Sequence, residues 1–324
     1  MKRKNKEQQS GAVSGGSLAA KKTGLSRLIF AIKTEPTLYL MILPVIVWYI
    51  LFHYKPLYGI LMAFQDYSPG KGIWGSRWIG FEHFINFFND VYFTRLLKNT
   101  LIISVTTLIF SFPAPIIMAL LLNELPFKRF GRVVQTISYM PHFISIVVIC
   151  SMIRSFTMDT GVINQFVAMF GGEPVTMLTK PNLFVPIYVI SDIWQELGWN
   201  SIIYLAALAA VDPQLYEAAK IDGANRWQQL CAVTLPSIVP TIIIMLVLRM
   251  GSLLSVGFEK VMLLYNPGIY ETADVISTYV YRKGILEFSW SYSTAIGFFN
   301  SVINFILIVV TNKLSKMLTE TSLW

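Results

Sequence analysis

Residues 100–122 read TLIISVTTLIFSFPAPIIMALLL, a stretch without a single charged side chain. A helix needs about 20 mainly apolar residues to cross the hydrocarbon core of a bilayer. Lipid offers no hydrogen-bonding partner to the backbone, and this run is too long and continuous for a barrel strand, so it is predicted to be a helix. The stretch therefore predicts an all-α integral membrane protein.

The same pattern recurs along the chain, in two further charge-free runs and in three runs that ionisable residues interrupt. The predicted spans are 38–58, 100–122, 133–153, 183–211, 237–258 and 291–312. Prolines inside them, such as Pro113 and Pro141, predict kinks. Composition agrees with a membrane protein, because 54% of the 324 residues are hydrophobic and only 14% are charged, whereas soluble domains carry about 25% charged residues.

Basic residues near the membrane predict the orientation. Eight of them lie within the first 33 residues, which places the N-terminal tail 1–35 in the cytoplasm. This tail is polar and is predicted to be largely disordered. Six spans in the domain 36–324 then put the C-terminus and the loop 212–236 in the cytoplasm as well. The net charge of +8 is explained by this topology, and no nucleic-acid surface is predicted, since no basic run is interleaved with aromatic residues.

No pattern typical of an enzyme active site is found. HExxH, CxxC, GxSxG and a complete phosphate-binding loop are absent from the sequence, and its three histidines are too scattered for a metal site. We therefore predict neither catalysis nor a metal or cofactor bound by this chain. Cys150 and Cys231 fall in different predicted compartments, so both are expected to be reduced and packed as small hydrophobic residues.

The loop 212–236, DPQLYEAAKIDGANRWQQLCAVTLP, predicts two short helices. Asp212 is a natural N-cap, and Pro213 suits the first helical position because its missing N–H costs nothing there. Asp222 and Gly223 end this first helix, since glycine takes a left-handed conformation without penalty. A second helix with an apolar stripe from Trp227 to Thr234 is predicted to stop at Pro236.

YEAAKIDGA at 216–224, followed by the Leu-Pro pair 235–236, resembles the EAA signature of permease subunits of binding-protein-dependent ABC importers. The flanking GWNSIIYLAALAAVDPQL and LPSIVPTI fit the same family. Residues 248–284, LRMGSLLSVGFEKVMLLYNPGIYETADVISTYVYRKG, are most similar to permeases grouped with lipoprotein and polysaccharide transport in the carbohydrate-uptake branch. The resemblance implies a type I ABC importer permease fold in the cytoplasmic (inner) membrane, with a saccharide as substrate.

In this family the short cytoplasmic helix is a coupling helix that docks into a cleft on an ATPase subunit. The residues implied here are Leu215, Tyr216, Glu217, Ala218, Ala219, Asp222 and Gly223. Glu217 would pair with a basic residue of the ATPase, and Tyr216, Ala218 and Ala219 would be presented to the groove. The alternative is a passive connection in which Glu217 merely favours the helix N-terminus through the helix dipole.

The resemblance also implies partners: a second homologous permease, two ATPase subunits that hold ATP and Mg²⁺, membrane lipid, and an extracytoplasmic solute-binding protein. That binding protein would dock on the outer segments 65–99, 157–182 and 259–290. No cofactor is implied for this chain itself.

Charges inside predicted spans are costly and are usually kept where they face a partner or a cavity. Asp192 and Glu196 share a face of one span, and Arg249 lies near the middle of another. They predict either a structural ion pair between helices or a substrate path. In the second case Arg249, Ser252, Ser255 and Glu259, spaced by three or four residues, would share one helix face along the path.

Trp194 lies near the two carboxylates in sequence and is predicted either to belong to the interfacial aromatic belt or to stack on a sugar ring. The substrate is predicted to be an oligo- or polysaccharide. An acidic one, such as an alginate or pectin fragment, is favoured if Arg249 faces the cavity, and neutral glycans remain open. Two other classes stay as alternatives: a secondary transporter coupled to ions through Asp192, Glu196 and Arg249, and a membrane scaffold without transport.

Overall fold

The structure is a computed structural model that describes residues 32–319 and 322–323. The predicted disorder of the tail 1–35 falls almost wholly outside these residues. Compact packing divides the chain into two units, Met1–Tyr58 and Gly59–Trp324, and each is described by itself. In the described part of the first unit, α1 (Pro36–Tyr49) continues into a π-helical turn, Ile50–Tyr54.

The second unit is built almost entirely of helices. It begins within the 3₁₀ stretch Lys55–Phe64, whose residues up to Tyr58 belong to the first unit. A two-residue antiparallel pair, β1 (Gln65–Asp66) with β2 (Arg77–Trp78), then flanks the short α2 (Gly72–Gly75). The helices that follow are α3 (Glu82–Phe88), α4 (Phe93–Phe110), α5 (Pro113–Glu124), α6 (Lys128–Tyr139), α7 (Ile146–Thr157), α8 (Val162–Met169), α9 (Pro181–Ala209), α10 (Pro213–Ile221), α11 (Arg226–Gln229), α12 (Leu235–Met250), α13 (Phe258–Leu264), α14 (Tyr270–Ala273), α15 (Ile276–Tyr281) and α16 (Trp290–Thr319).

Among the described residues, five helical stretches are long and apolar enough to cross a membrane: Pro36–Phe64, Phe93–Glu124, Ile146–Met169, Arg226–Met250 and Trp290–Met317. The predicted span 183–211 forms α9, a helix of 29 residues. It falls outside these five because its middle, SDIWQELGWN at 191–200, is polar. The helix instead lies at the centre of the second unit, where it packs against α4, α5, α6, α12 and α14.

Three predicted helix boundaries are wrong. The span predicted at 133–153 is broken, because Pro141 cannot donate to the helical ladder; a 3₁₀ turn at Met140–Phe143 and extended backbone at Ile144 and Ser145 separate α6 from α7. The span predicted at 237–258 ends at Met250. The loop helix expected to stop at Pro236 runs on into that span through a π-helical stretch, Leu230–Thr234, so 226–250 is one helix.

The core consists of three clusters of buried apolar residues. The largest joins α4, α7, α9 and α13 through residues such as Ile103, Ile149, Phe184 and Val261. A second lies around Phe87 and Ile296, and a third around Tyr204 and Ile238. Gly198 allows α9 to lie directly on α6, since a Cβ there would come 2.2 Å from the Ser138 carbonyl oxygen.

Candidate transport cavity and cytoplasmic helix

A cavity of about 460 Å³ opens where α9, α12 and the α4–α5 junction meet. Its polar lining includes Asp192, Glu196, Asn200, Arg249 and Ser252. A smaller cavity of about 140 Å³ shares Asp192, Arg249 and Ser252 with the first and adds Ser255. The structure therefore brings together Asp192, Glu196 and Arg249, three of the charged residues that the sequence singled out, on the walls of an open space.

Both carboxylates of the cavity are paired, but neither is paired with Arg249. Asp192 lies 4.0 Å from the Nζ of Lys260, and Glu196 lies 3.0 Å from the Nδ1 of His142. Within residues 32–319 no carboxylate oxygen lies within 4.0 Å of the Arg249 side chain. The predicted ion pair between α12 and α9 is thus wrong, because the two carboxylates lie against Lys260 and His142 and not against Arg249.

Lys260 pairs with Asp192 and is not among the residues that the sequence predicts for this site. It projects from α13, its side chain is only 5% exposed, and its Nζ, which has no hydrogen-bond partner in the described structure, lies 5.1 Å from the centre of the Tyr188 ring. Its sequence neighbours Val261 and Leu264 are buried in the core. In the sequence, only the apolar residues that follow Lys260 indicate that this lysine is buried, and they do not indicate which residue it pairs with.

His142 was also missed. Its ring stacks on the indole of Trp199, with ring centres 4.5 Å apart and planes 2° from parallel, and it holds Glu196 through the 3.0 Å contact. The break in the predicted third span places His142 here, in the 3₁₀ turn between α6 and α7.

The single helix face predicted for Arg249, Ser252, Ser255 and Glu259 does not exist, because α12 ends at Met250. Ser252 still lines both cavities, and the Ser255 hydroxyl accepts a hydrogen bond from Asn304 Nδ2 at 3.1 Å. Glu259 is exposed at the start of α13 and lines neither cavity. Trp194 is 45% exposed and lines neither cavity, so the structure gives no support to sugar stacking within them, and its place in the aromatic belt stays a prediction.

The first helix of the loop 212–236 forms as the sequence predicted, as α10. The Asp212 carboxylate caps it by accepting from the Gln214 N–H at 2.9 Å, and Pro213 takes the first position. At its end the N–H of Ala224 donates to the Ala219 carbonyl (2.9 Å) and that of Gly223 to the Lys220 carbonyl (3.0 Å). Gly223 has φ +79°; this arrangement is a Schellman motif, which requires a left-handed residue at that point.

One face of α10 is anchored and the other is uncovered. The hydroxyls of Tyr216 and Thr234 are hydrogen-bonded at 3.0 Å, so Tyr216 holds α10 against its own chain and is not presented as expected; Ala219 is half-buried too. The exposed side carries Leu215, Glu217, Ala218 and Asp222. Ile221, which is 86% exposed and which the sequence reasoning had not singled out, extends the apolar part of this side.

The segment between α13 and α16 is tied down by buried ionic contacts. The fully buried Asp274 accepts two bonds from Arg282 (2.7 and 2.6 Å) and one from Arg95 of α4 (3.3 Å). Although burial opposes the charge, the bonds to Asp274 raise the pKa of Arg282. This network is a structural anchor of the chain.

A second carboxylate, Asp90, lies between α3 and α4 and accepts hydrogen bonds from the hydroxyls of Tyr279 (2.5 Å) and Tyr292 (2.8 Å). Burial raises the pKa of Asp90, but these bonds and the Tyr92 N–H outweigh it, so the pKa lies below its ordinary value. The charged carboxylate thereby links the α3–α4 connection to α15 and α16.

The two cysteines are free in the described structure; Cys150 is buried, as expected, but Cys231 is exposed and not packed.

Comparison with known proteins assigns the fold. Residues 111–319 match the family of binding-protein-dependent transport system inner membrane components. The chain belongs to this family. It is therefore a multi-pass membrane permease of a transport system and not itself catalytic, and the resemblance and the all-α type I importer fold inferred from the sequence are confirmed.

Individual relatives extend the match over nearly the whole permease. This chain is 46% identical over 307 residues to the polygalacturonan/rhamnogalacturonan transport system permease protein YteP of Bacillus subtilis, and the match covers 94% of this chain and 95% of the relative. A solved bacterial ABC transporter for import of the acidic polysaccharide alginate contains a chain with TM-score 0.84 and 46% identity, covering 90% of this chain and 99% of that one. A structure of a bacterial alginate ABC transporter in complex with its pentasaccharide-bound periplasmic protein gives TM-score 0.85 and 45% identity, covering 92% and 100%.

Proposed function

We propose that this permease is one of two membrane subunits of an ATP-driven importer for an acidic oligo- or polysaccharide in the cytoplasmic membrane. The observation that carries the proposal is the position of Arg249, which lines the cavity without a carboxylate within 4.0 Å among the described residues. Asp192 and Glu196 are paired with Lys260 and His142, whereas Arg249 faces the same space with no carboxylate partner among the described residues. An unpaired guanidinium favours an anionic substrate group, which it can bind through two parallel hydrogen bonds.

The relatives support the same substrate class. The similar solved transporter is one for import of the acidic polysaccharide alginate, and YteP is named for polygalacturonan and rhamnogalacturonan transport. We propose that this chain carries a carboxylated saccharide of the same kind. An ion-coupled secondary transporter finds no support in the family match, and the carboxylates it would use are already paired.

Energy coupling is assigned to α10. Its uncovered side, with Leu215, Ala218 and Ile221 as apolar contacts and Glu217 and Asp222 as charges, suits insertion into a partner's groove. In the proposed assembly this partner is an ATPase subunit, and ATP and Mg²⁺ bind to two such subunits and not to this chain. A homologous permease completes the path, and a solute-binding protein docks on the segments 65–99, 157–182 and 259–290.

The substrate proposal is tested with Arg249→Gln in the assembled transporter, reconstituted in vesicles with its solute-binding protein. Uptake of an alginate oligosaccharide is compared with uptake of the same oligosaccharide after its carboxyl groups have been reduced to alcohols. A hydrogen bond to a charged group contributes about 1.5–3 kcal/mol, so we expect uptake of the acidic form to fall about tenfold or more and uptake of the reduced form to change little.

Arg154→Gln serves as the matched control, because Arg154 is an exposed arginine on α7 that lines neither cavity. Equal losses for both oligosaccharides, or no loss for either, would contradict the proposed role of Arg249. The expected result requires a selective loss in Arg249→Gln that Arg154→Gln does not show.

A further inference from the structure

Helix α6 has one buried face and one uncovered apolar face. Gly131, Val134 and Ser138 turn inward, and Ser138 meets α9 at Gly198. Beside this buried face lie large apolar side chains that are each more than half exposed in the described structure: Phe127 (73%), Phe130 (56%), Val133 (54%), Ile137 (62%) and Met140 (60%). Their spacing of three or four residues forms one continuous stripe.

Three basic residues accompany the first turns of this stripe. Lys128, Arg129 and Arg132 are exposed, and within residues 32–319 none of them lies within 4.0 Å of a carboxylate. The helix thus has exposed apolar side chains along its length and unpaired basic side chains at one end.

The charged end lies on the side of the coupling helix. A groove of about 600 Å³ is lined by Glu124 and Pro126, which precede α6, together with Lys220, Ala224 and Arg226, which surround the end of α10. The predicted topology places α10 in the cytoplasm, so α6 enters the membrane from the cytoplasmic surface. This places Lys128, Arg129 and Arg132 near the headgroups of the cytoplasmic leaflet and the stripe among its acyl chains.

We propose that this face of α6 binds anionic phospholipid of the cytoplasmic leaflet, with the three basic residues on the phosphates and the stripe from Phe127 to Met140 along the acyl chains. The argument for this occupant is charge complementarity: a zwitterionic headgroup has no net charge and an apolar protein surface has no charge at all, whereas headgroups with a net negative charge attract basic residues next to a membrane span. The inference concerns a lipid site and does not depend on which saccharide is carried. Because the site lies beside the end of α10, lipid bound there is placed to influence coupling.

The test uses the complete transporter complex, purified from mixed vesicles of phosphatidylcholine and phosphatidylglycerol, with retained lipid identified by native mass spectrometry. Wild type is expected to retain phosphatidylglycerol in preference to phosphatidylcholine. Each basic residue near an anionic surface contributes about 1 kcal/mol, or about fivefold in binding. The preference is therefore expected to fall about fivefold for Arg129→Gln or Arg132→Gln alone and much further in the triple variant Lys128→Gln/Arg129→Gln/Arg132→Gln.

The control removes the same charge elsewhere. Lys71, Arg77 and Lys180 are exposed basic residues on the predicted outer side, and their triple change to Gln is expected to keep the lipid preference. Failure of the wild type to prefer phosphatidylglycerol, or an unchanged preference in the α6 triple variant, would overturn the proposal. Loss of a protein subunit from the triple variant with its lipid preference intact would also overturn it, since a protein would then be the occupant. Should the triple variant fail to assemble, the two single variants decide the matter by the same measurement.

Discussion

Replacing Gly223 by Val is expected to uncouple transport while the chain stays folded. Gly223 has φ +79° and closes α10 through the Schellman hydrogen bonds of Ala224 and Gly223. A residue with a Cβ pays for a left-handed conformation with about 1–2 kcal/mol, and a β-branched one lies at the upper end. No atom lies within 4 Å of the position a Cβ would take, so backbone strain is the whole local cost.

The size of this strain energy indicates that Gly223→Val uncouples transport and does not unfold the chain. A loss of about 2 kcal/mol is small beside the 5–15 kcal/mol that typically separates folded from unfolded protein. The same 2 kcal/mol shifts the equilibrium between a well-formed and a frayed end of α10 by about 30-fold. If the docked form of α10 requires its Schellman end, substrate-dependent ATP hydrolysis by the complex falls by a similar factor.

The assay is saccharide-stimulated ATP hydrolysis and uptake by the reconstituted complex, with thermal unfolding of the purified complex as the measure of folding. Gly223→Asn is the conservative variant, since Asn tolerates the left-handed region better than other side chains, and it is expected to keep most of the coupling. Gly72→Val is the strain control: Gly72 has φ +66° and also has open space around a built Cβ, but it lies far from α10 in sequence, in the segment between β1 and β2.

Coupled transport that survives Gly223→Val would refute the reasoning, and it would favour a passive loop. An equal loss in Gly72→Val would show that strain anywhere in the chain disables the transporter. The expected pattern is a loss in Gly223→Val alone, with unfolding temperatures of all three variants close to that of the wild type.

Two further predictions concern stability. Asp192→Asn leaves the buried ammonium of Lys260 without its carboxylate, and breaking such a pair costs about 3–5 kcal/mol. The melting temperature of the purified chain should therefore fall, and adding Lys260→Met should restore most of the loss. An Asp192→Asn variant as stable as wild type would contradict the pairing. Asp90 has a lowered pKa, so its carboxylate stabilises the fold at pH values above the ordinary Asp pKa and loses that contribution as pH falls through the lowered value. Asp90→Asn should therefore unfold at a lower temperature than wild type near neutral pH, and the difference in unfolding temperature should disappear in acid. A difference that does not depend on pH would count against this account.

The parts of the structure that the sequence predicted well are those decided by neighbouring residues. Asp212, Pro213 and Gly223 each act within a few residues of themselves, so the start and the end of α10 follow from local rules of capping. The apolar runs likewise indicate helices whatever surrounds them. In the part of the chain that the structure describes, five helical stretches are long and apolar enough to span a membrane.

The site could not be predicted to the same degree, because its contacts join residues far apart in the chain. The sequence predicts that Arg249 pairs with Asp192, but Asp192 lies next to Lys260. Lys260 belongs to α13, and the position of α13 depends on the end of α12 at Met250. His142 reaches Glu196 only because the third predicted span is broken at Pro141. The sequence predicts that Tyr216 faces a partner, but its hydroxyl is hydrogen-bonded to that of Thr234, 18 residues away.

Cross-linking from Ala218 tests the central claim most directly, namely that α10 is held by a separate ATPase. Ala218 is exposed on the uncovered side of the helix, and Ala218→Cys is introduced after the exposed Cys231 has been replaced by Ser. In the assembled complex the new thiol is expected to form a cross-link to a cysteine placed in the ATPase cleft, with a yield that changes when ATP is added. A thiol that never captures the ATPase, or that reacts only with reagents applied from the extracytoplasmic side, would contradict the account.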